Sequence, residues 1–485
     1  MIATTILIIF AAYFGILYLI SVLISRGSSD NDAFFVANRK SPWYIVAIGM
    51  IGTSVSGVTF VSVPGMVGAF NMSYMQMVFG FFFGYLVVAY LLLPLYYKLN
   101  LTSIYTYLDQ RFGNYSYKTG ASFFILSRII GSAAKLYLVA LILQTLVFEA
   151  WHIPFWLTVS GIILFIWIYT RKSGIKTIVW TDMLQTLSFV IAAILIIWQV
   201  SSLLDFNLKE VVTTVADNPH SKIFHFEWKS PMNFFKQFFS GVFIVIVMTG
   251  LDQDNMQKNL TCKNLKDAQK NMLTYGFLFT PINLLFLALG ILLLVFASQK
   301  GITLPEVSDE ILPYLVSNYL GLPCLIFFTI GIIGASFANA DSALTSLTTS
   351  FCVDILGVDK KDDKQANTTR KRVHIGMSIV FVLVILFIHH IGQENVLNTI
   401  YKVASYTYGP LLGLFALGLF SKINIRDKHA PFVCITAPII CYFLEEMLFS
   451  CFNYKVGYEI LMLNGLLTVI GLLAISKKSE SSVFK

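Results

Sequence analysis

Residues 331–354, GIIGASFANADSALTSLTTSFCVD, decide how the rest of the chain is read. As a helix rising about 1.5 Å per residue, this stretch is just long enough to cross a bilayer's hydrocarbon core. Its centre is polar, with Asn339, Asp341, Ser342, Thr345, Ser346, Thr348 and Thr349 set among small Ala and Gly. An acid at mid-bilayer costs about 2.5–3.5 kcal/mol on insertion scales, so it is expected to face protein, ions or water instead of lipid. A small, hydroxyl-rich, acidic helix reads as the wall of an ion pathway. Without Asp341 it would read equally well as an interior helix packed through small residues.

The surrounding composition supplies the membrane. Of 485 residues, 56% are hydrophobic and only 12% charged, too little polar surface to cover a soluble globule. The net charge of +8 reports topology before it reports nucleic acid, and no nucleic-acid partner is expected. Six cysteines (Cys262, Cys324, Cys352, Cys434, Cys441, Cys451) show no metal-finger spacing and lie mostly in apolar runs, as buried free thiols do. Residues 1–24 lack a basic leader and are apolar enough to span, so they read as a first transmembrane helix, not a cleaved signal.

Hydrophobic runs and their polar breaks predict thirteen spans, near 3–24, 43–70, 73–97, 118–149, 154–170, 177–204, 235–257, 273–298, 321–353, 373–391, 395–420, 430–450 and 456–476. With Met1 outside, the inner segments collect nearly all the basic residues, among them Arg26, Arg39, Lys40, Arg171, Lys172, Lys258, Lys263, Lys266, Lys270, Arg370, Lys371 and Arg372. Only Lys209, Lys222, Lys229, Lys236, Lys300 and Lys455 remain outside, four of them on or beside one long loop where the rule is weak. This bias predicts a multi-pass cell-membrane protein with its amino terminus outside and its carboxyl terminus cytoplasmic. A GxxxxGK phosphate loop is absent, so ATP is not an expected partner; neither HExxH nor GxSxG appears, so a membrane-embedded enzyme is disfavoured. A transporter-derived sensor would call for an appended signalling domain.

Two spans carry helix-breaking patterns. The second, WYIVAIGMIGTSVSGVTFVSVPGM, contains Gly49, Gly52, Gly57, Pro64 and Gly65; backbone unwinds in a membrane only where a cavity or ion satisfies its carbonyls. Five spans onward, MTGLDQDNMQKN offers a second break around Thr249–Asp254. The pairing predicts two five-helix repeats, 43–204 and 235–422, after a first helix and loop at 1–42, joined by an outer loop at 205–234 and followed by two terminal helices at 423–485. Arg128 and Lys135, seven apart, share one helical face; Lys135 needs Asp341, a substrate carboxylate or loss of its charge. Asp182 reads either as a functional acid or as an acid at a helix amino terminus, and Lys402 as a snorkelling cation.

Taken together, VWTDMLQ at 179–185, DQDNMQKNLTCKN at 252–264, the helix at 335–354 running into CVDIL, YGPLLGLFALGLF at 408–420 and TSVSGVTF at 53–60 resemble the sodium/solute symporter family. That family includes sodium–glucose, sodium–proline, sodium–sialic acid and iodide cotransporters. The resemblance implies an all-α polytopic membrane protein with a LeuT-type 5+5 inverted-repeat core, and sodium-driven uptake of a small polar solute by alternating access. It maps the main sodium position to the backbone of Gly52, Val55 and Ala335, and its two hydroxyl positions to Ala338 and Asn339. An Asn amide oxygen ligates sodium; Ala does not, so this position is weaker or differently built. A second sodium position maps to Asp182, Ala338, Asp341 and Ser342, where two carboxylates suit a hard cation and leave proton coupling open. The implied substrate pocket lies where spans 2, 3, 4 and 7 meet, with Ser54, Ser56, Thr59, Tyr74, and Ser132 or Lys135 as candidates. The sugar transporters' asparagine and tyrosine map to Val245 and Met248, which argues against sugar recognition of their kind; a carboxylate or sugar acid suits Lys135.

Overall fold

The computed structural model describes residues 2–25, 31–171, 174–358, 362–391 and 396–477. Among them no strand forms; a lipid environment leaves each segment to satisfy its own backbone polar groups, and helices do so. The long helices are α1 (Ile2–Ser25), α2 (Trp43–Ser54), α3 (Gly57–Gly65), α4 (Tyr74–Val87, continuing to Lys98), α5 (Asn114–Leu143), α6 (Phe155–Thr170) and α7 (Ile175–Leu203). Then follow α8 (Phe234–Val245, continuing to Gly250), α9 (Gln253–Leu260), α10 (Leu265–Lys300), α11 (Gly321–Ser350), α12 (Asp363–Ile391), α13 (Val396–Phe420), α14 (Ala430–Phe452) and α15 (Ile460–Ala474). Large apolar side chains stand bare on the outer helices, as with Phe432 (75% exposed) and Phe443 (66%) on α14. In water that surface would aggregate; against acyl chains it is the ordinary exterior.

Nine described helices are long and apolar enough to cross a membrane, and two bent pairs raise the count to eleven. The remaining two expected spans correspond to the shorter apolar helices α6 (16 residues) and α15 (15 residues). At about 1.5 Å per residue each falls short of a core of roughly 30 Å, so thirteen crossings are more than helix length alone establishes.

The bent pairs fall where Gly, Ser and Asp interrupt the apolar runs. Between α2 and α3 the chain turns 57°: Val55 (φ −79°, ψ 83°) and Ser56 (φ −79°, ψ 173°) leave helical geometry. Between α8 and α9 it turns 63°, and Asp252 restarts the helix by accepting the Asn255 N–H at 3.1 Å. Carbonyls near each break find side-chain donors, as the bilayer requires. Asn339 Nδ2 donates to Thr53 O at 2.8 Å, Tyr96 Oη to Gly250 O and Tyr105 Oη to Leu251 O, both at 2.8 Å. Around the breaks, α7 packs lengthwise on α11 and α2, α4 on α8, and α13 on α5 and α15. Every residue of α11 from 331 to 350 is buried, so this helix forms the centre of the molecule. Several of its hydroxyls fold back on their own helix: Thr348 donates to Leu344 O (2.7 Å) and Thr349 to Thr345 O (2.9 Å).

Candidate functional site

A cavity of about 70 Å³ lies at the α2–α3 break, walled by that break, α4, α5, α8, α9, α10 and α13. Of the sequence-derived substrate candidates, Ser54, Ser56, Thr59 and Lys135 line it. Tyr74 is one step removed: it is buried, and its Oη meets that of the wall residue Tyr401 at 3.2 Å. Ser132 is buried outside the wall, and its hydroxyl finds no partner among the described residues.

The remaining lining was not anticipated. Tyr275 hydrogen-bonds Ser54 Oγ at 2.5 Å and accepts from Tyr85 Oη at 2.8 Å; Thr53, Thr249, Asn255, Arg128 and Tyr401 complete the polar side, with Phe81, Ile244, Val245, Met248, Phe279 and Ile400 apolar. Asn255 donates to Met248 O at 2.8 Å, while its own Oδ1 is buried without a partner. The only signal these tyrosines gave was a hydroxyl in mid-span, which a lone Tyr in an apolar run does not distinguish from core.

Arg128 and Lys135 diverge despite sharing a helix face. Arg128, 6% exposed, forms an ion pair with Asp254 and lies 3.8 Å from Asp252. Asp252 also accepts Tyr408 Oη at 2.5 Å, and Asp254 accepts Ser342 Oγ. Lys135 forms no ion pair with Asp341 or with any other acid among the described residues. Its side chain contributes to the cavity wall. Lys402 snorkels as expected, 60% exposed, but also meets Glu445 at 3.0 Å.

The residues mapped to sodium gather around α11. Val55 is the unwound residue itself, and Gly52 packs so closely on Thr186 and Ala338 that a Cβ would overlap the threonine hydroxyl. Asn339 spends its Nδ2 on Thr53 O, which leaves its buried Oδ1 with no donor among the described residues. Asp341 accepts Tyr169 Oη at 2.7 Å and the Ser342 N–H at 2.6 Å, with no cationic side chain paired to it among the described residues. Asp182 is different. It is fully buried and accepts from Lys258 Nζ and from Thr53 Oγ1 (3.3 Å); Gln185, with its amide nitrogen turned inward, donates to Oδ1 at 3.2 Å. Lys258, read from sequence as an inner-segment surface charge, is 1% exposed. No group of three or more His, Cys, Asp or Glu suited to a metal occurs among the described residues.

A sodium/sialic acid symporter of Aliivibrio fischeri is 26% identical over 85% of this chain and 82% of its own length, and one of Proteus mirabilis is 24% identical over 84% and 83%. The human sodium-coupled monocarboxylate transporter 1 is 23% identical over 85% of this chain and 68% of its own length. Among solved structures, a sodium-coupled sialic acid symporter in a substrate-bound outward-open state superposes with a TM-score of 0.82 at 23% identity, covering 98% of this chain and 99% of that one. A nucleobase–cation symporter in a closed conformation superposes at 0.56 with 15% identity, over 93% and 96%. These likenesses carry the LeuT-type fold. The profile described as "Sodium:solute symporter family" matches residues 34–426, and the chain therefore belongs to the sodium:solute symporter family, as a sodium-coupled transporter of solutes and not an enzyme.

Proposed function

We propose that the solute is a small organic anion, a monocarboxylate or sugar acid, whose carboxylate meets Lys135 in the cavity at the α2–α3 break. The observation that carries this reading is a lysine lining the cavity at the break with no acid paired to it among the described residues. An uncompensated charge in a protein interior is costly, and an incoming anion removes that cost. Ser54, Ser56 and Thr59 offer hydroxyls to the rest of the solute, Tyr74 holds Tyr401 in the wall, and Ser132 lies behind Lys135 on α5. The relatives transporting sialic acid and monocarboxylates support a carboxylate.

Sodium, in this reading, takes the carbonyls of Gly52, Val55 and Ala335 together with the unpartnered Oδ1 of Asn339. Asp182, Asp341 and Ser342 make a second cationic position beside it. The repeats 43–204 and 235–422 move against one another about this centre, and the amino terminus lies outside. One sodium ion descending about 100 mV releases roughly 2.3 kcal/mol, and its concentration gradient adds to that. Uptake into proteoliposomes of sialic acid, lactate, iodide, amino acids and glucose, each under a sodium, lithium or proton gradient, tests this reading. Sodium-stimulated uptake of one carboxylate alone is the expected result; uptake confined to neutral solutes removes the role of Lys135.

A further inference from the structure

Asp182 is the acid to which a second sodium would be drawn, yet its carboxylate already holds an ammonium. Lys258 Nζ reaches both Asp182 Oδ2 and Thr53 Oγ1, with Thr53 on α2 two residues before the break. Lys258 itself stands on α9, just past the other break. The side chain thus ties both interrupted helices to α7. It is 1% exposed and Asp182 is 0% exposed, so no water competes for either charge. The nearby charges are otherwise assigned: Arg128 faces Asp252 and Asp254, and Asp341 holds Tyr169 and the Ser342 amide.

We infer that Lys258 is a resident cation in the second sodium position, so that this transporter binds a single sodium per chain. A sodium at Asp182 would have to expel the Lys258 ammonium from a fully buried carboxylate, and separating a buried pair leaves a charge uncompensated. A lone sodium at the α2–α3 break meets no such obstacle. The charge that a second ion would bring is supplied covalently, and Lys258 sets the coupling ratio instead of the ion gradient.

This inference rests on the sodium position proposed at the break. Equilibrium binding of radioactive sodium to the purified full-length protein, at constant ionic strength with choline, counts the ions directly. Wild type is expected to bind one sodium, with a simple hyperbolic isotherm. Lys258→Ala vacates Asp182 and is expected to gain a second sodium and a cooperative isotherm. Adding Asp182→Asn to it returns the count to one. Lys258→Gln, which keeps a donor toward Thr53 and Asp182, serves if the alanine variant does not fold and predicts the same gain. Two sodium ions on wild type, or no gain in either lysine variant, overturns the inference while leaving sodium coupling intact. No sodium on wild type overturns both readings.

Discussion

In the proposed reading, solute recognition turns on Lys135 and ion recognition on Asn339, and each makes a separable prediction. Hydrogen bonds to charged groups contribute about 1.5–3 kcal/mol, so Lys135→Gln should raise the KM for a carboxylate solute roughly ten- to a hundredfold, with the sodium requirement little changed. Unchanged KM in proteoliposome uptake would remove the carboxylate assignment. Asn339→Ala deletes the unpartnered buried oxygen and should raise the half-saturating sodium concentration about tenfold, because a hard cation loses an oxygen ligand it cannot replace. Asn339→Ser, which restores an oxygen, should recover part of that loss. The sequence singled out both positions, because a lysine and an asparagine in mid-membrane have few harmless explanations. It missed Lys258, since a lysine three residues before a polar turn looks like a surface charge until the 63° bend carries it inward. It likewise had no means of pairing Arg128 with Asp254, which are 126 residues apart.

The elements depend on glycines where one backbone rides directly on another. On α4, a Cβ at Gly80 would overlap the carbonyl oxygen of Phe238 on α8; a Cβ at Gly241 would overlap that of Met77 in return. Small residues at such crossings let helices approach in a medium that offers no hydrophobic drive. Gly80→Leu and Gly241→Leu should each cost at least the roughly 1–3 kcal/mol of overpacking, read as a lower melting temperature in detergent. Gly161→Ala, where no atom lies within 4 Å of the added carbon, should leave it unchanged. Gly57 belongs to the same class but touches function: its Cβ would press on Ser336 of α11 and lie 2.8 Å from Val139 of α5. Gly57→Ala should therefore slow transport more than it lowers the melting temperature, because it moves the break off the helix that faces it. The breaks were legible from Gly, Pro and Asp in otherwise apolar spans. The packing partners were not, since periodicity shows that a face is buried and not what buries it.

For the whole molecule, the distribution of basic residues predicts an orientation that labelling of thiols can read. Five cysteines are buried and Cys451 is exposed. Cys262, between α9 and α10, is further protected because burial pushes its thiol up to about 12, leaving little thiolate to react. A Cys451→Ser protein is therefore a quiet background. Lys222, in the long loop after α7, and Lys266 and Lys371, at the starts of α10 and α12, are all exposed. On intact cells a membrane-impermeant maleimide should label Lys222→Cys at once. Lys266→Cys and Lys371→Cys should react only after permeabilisation, because segments dense in Lys and Arg are retained on the cytoplasmic side. The short helices α6 and α15 make this test sharp. If α6 did not cross, every loop from Arg171 to the end of the chain would exchange sides and the labelling of all three positions would invert. The basic residues would then lie mostly outside, against the bias that orients multi-pass proteins, so with the amino terminus outside, labelling of Lys222→Cys alone on intact cells requires that a helix of 16 residues spans by tilting little and thinning the bilayer around it.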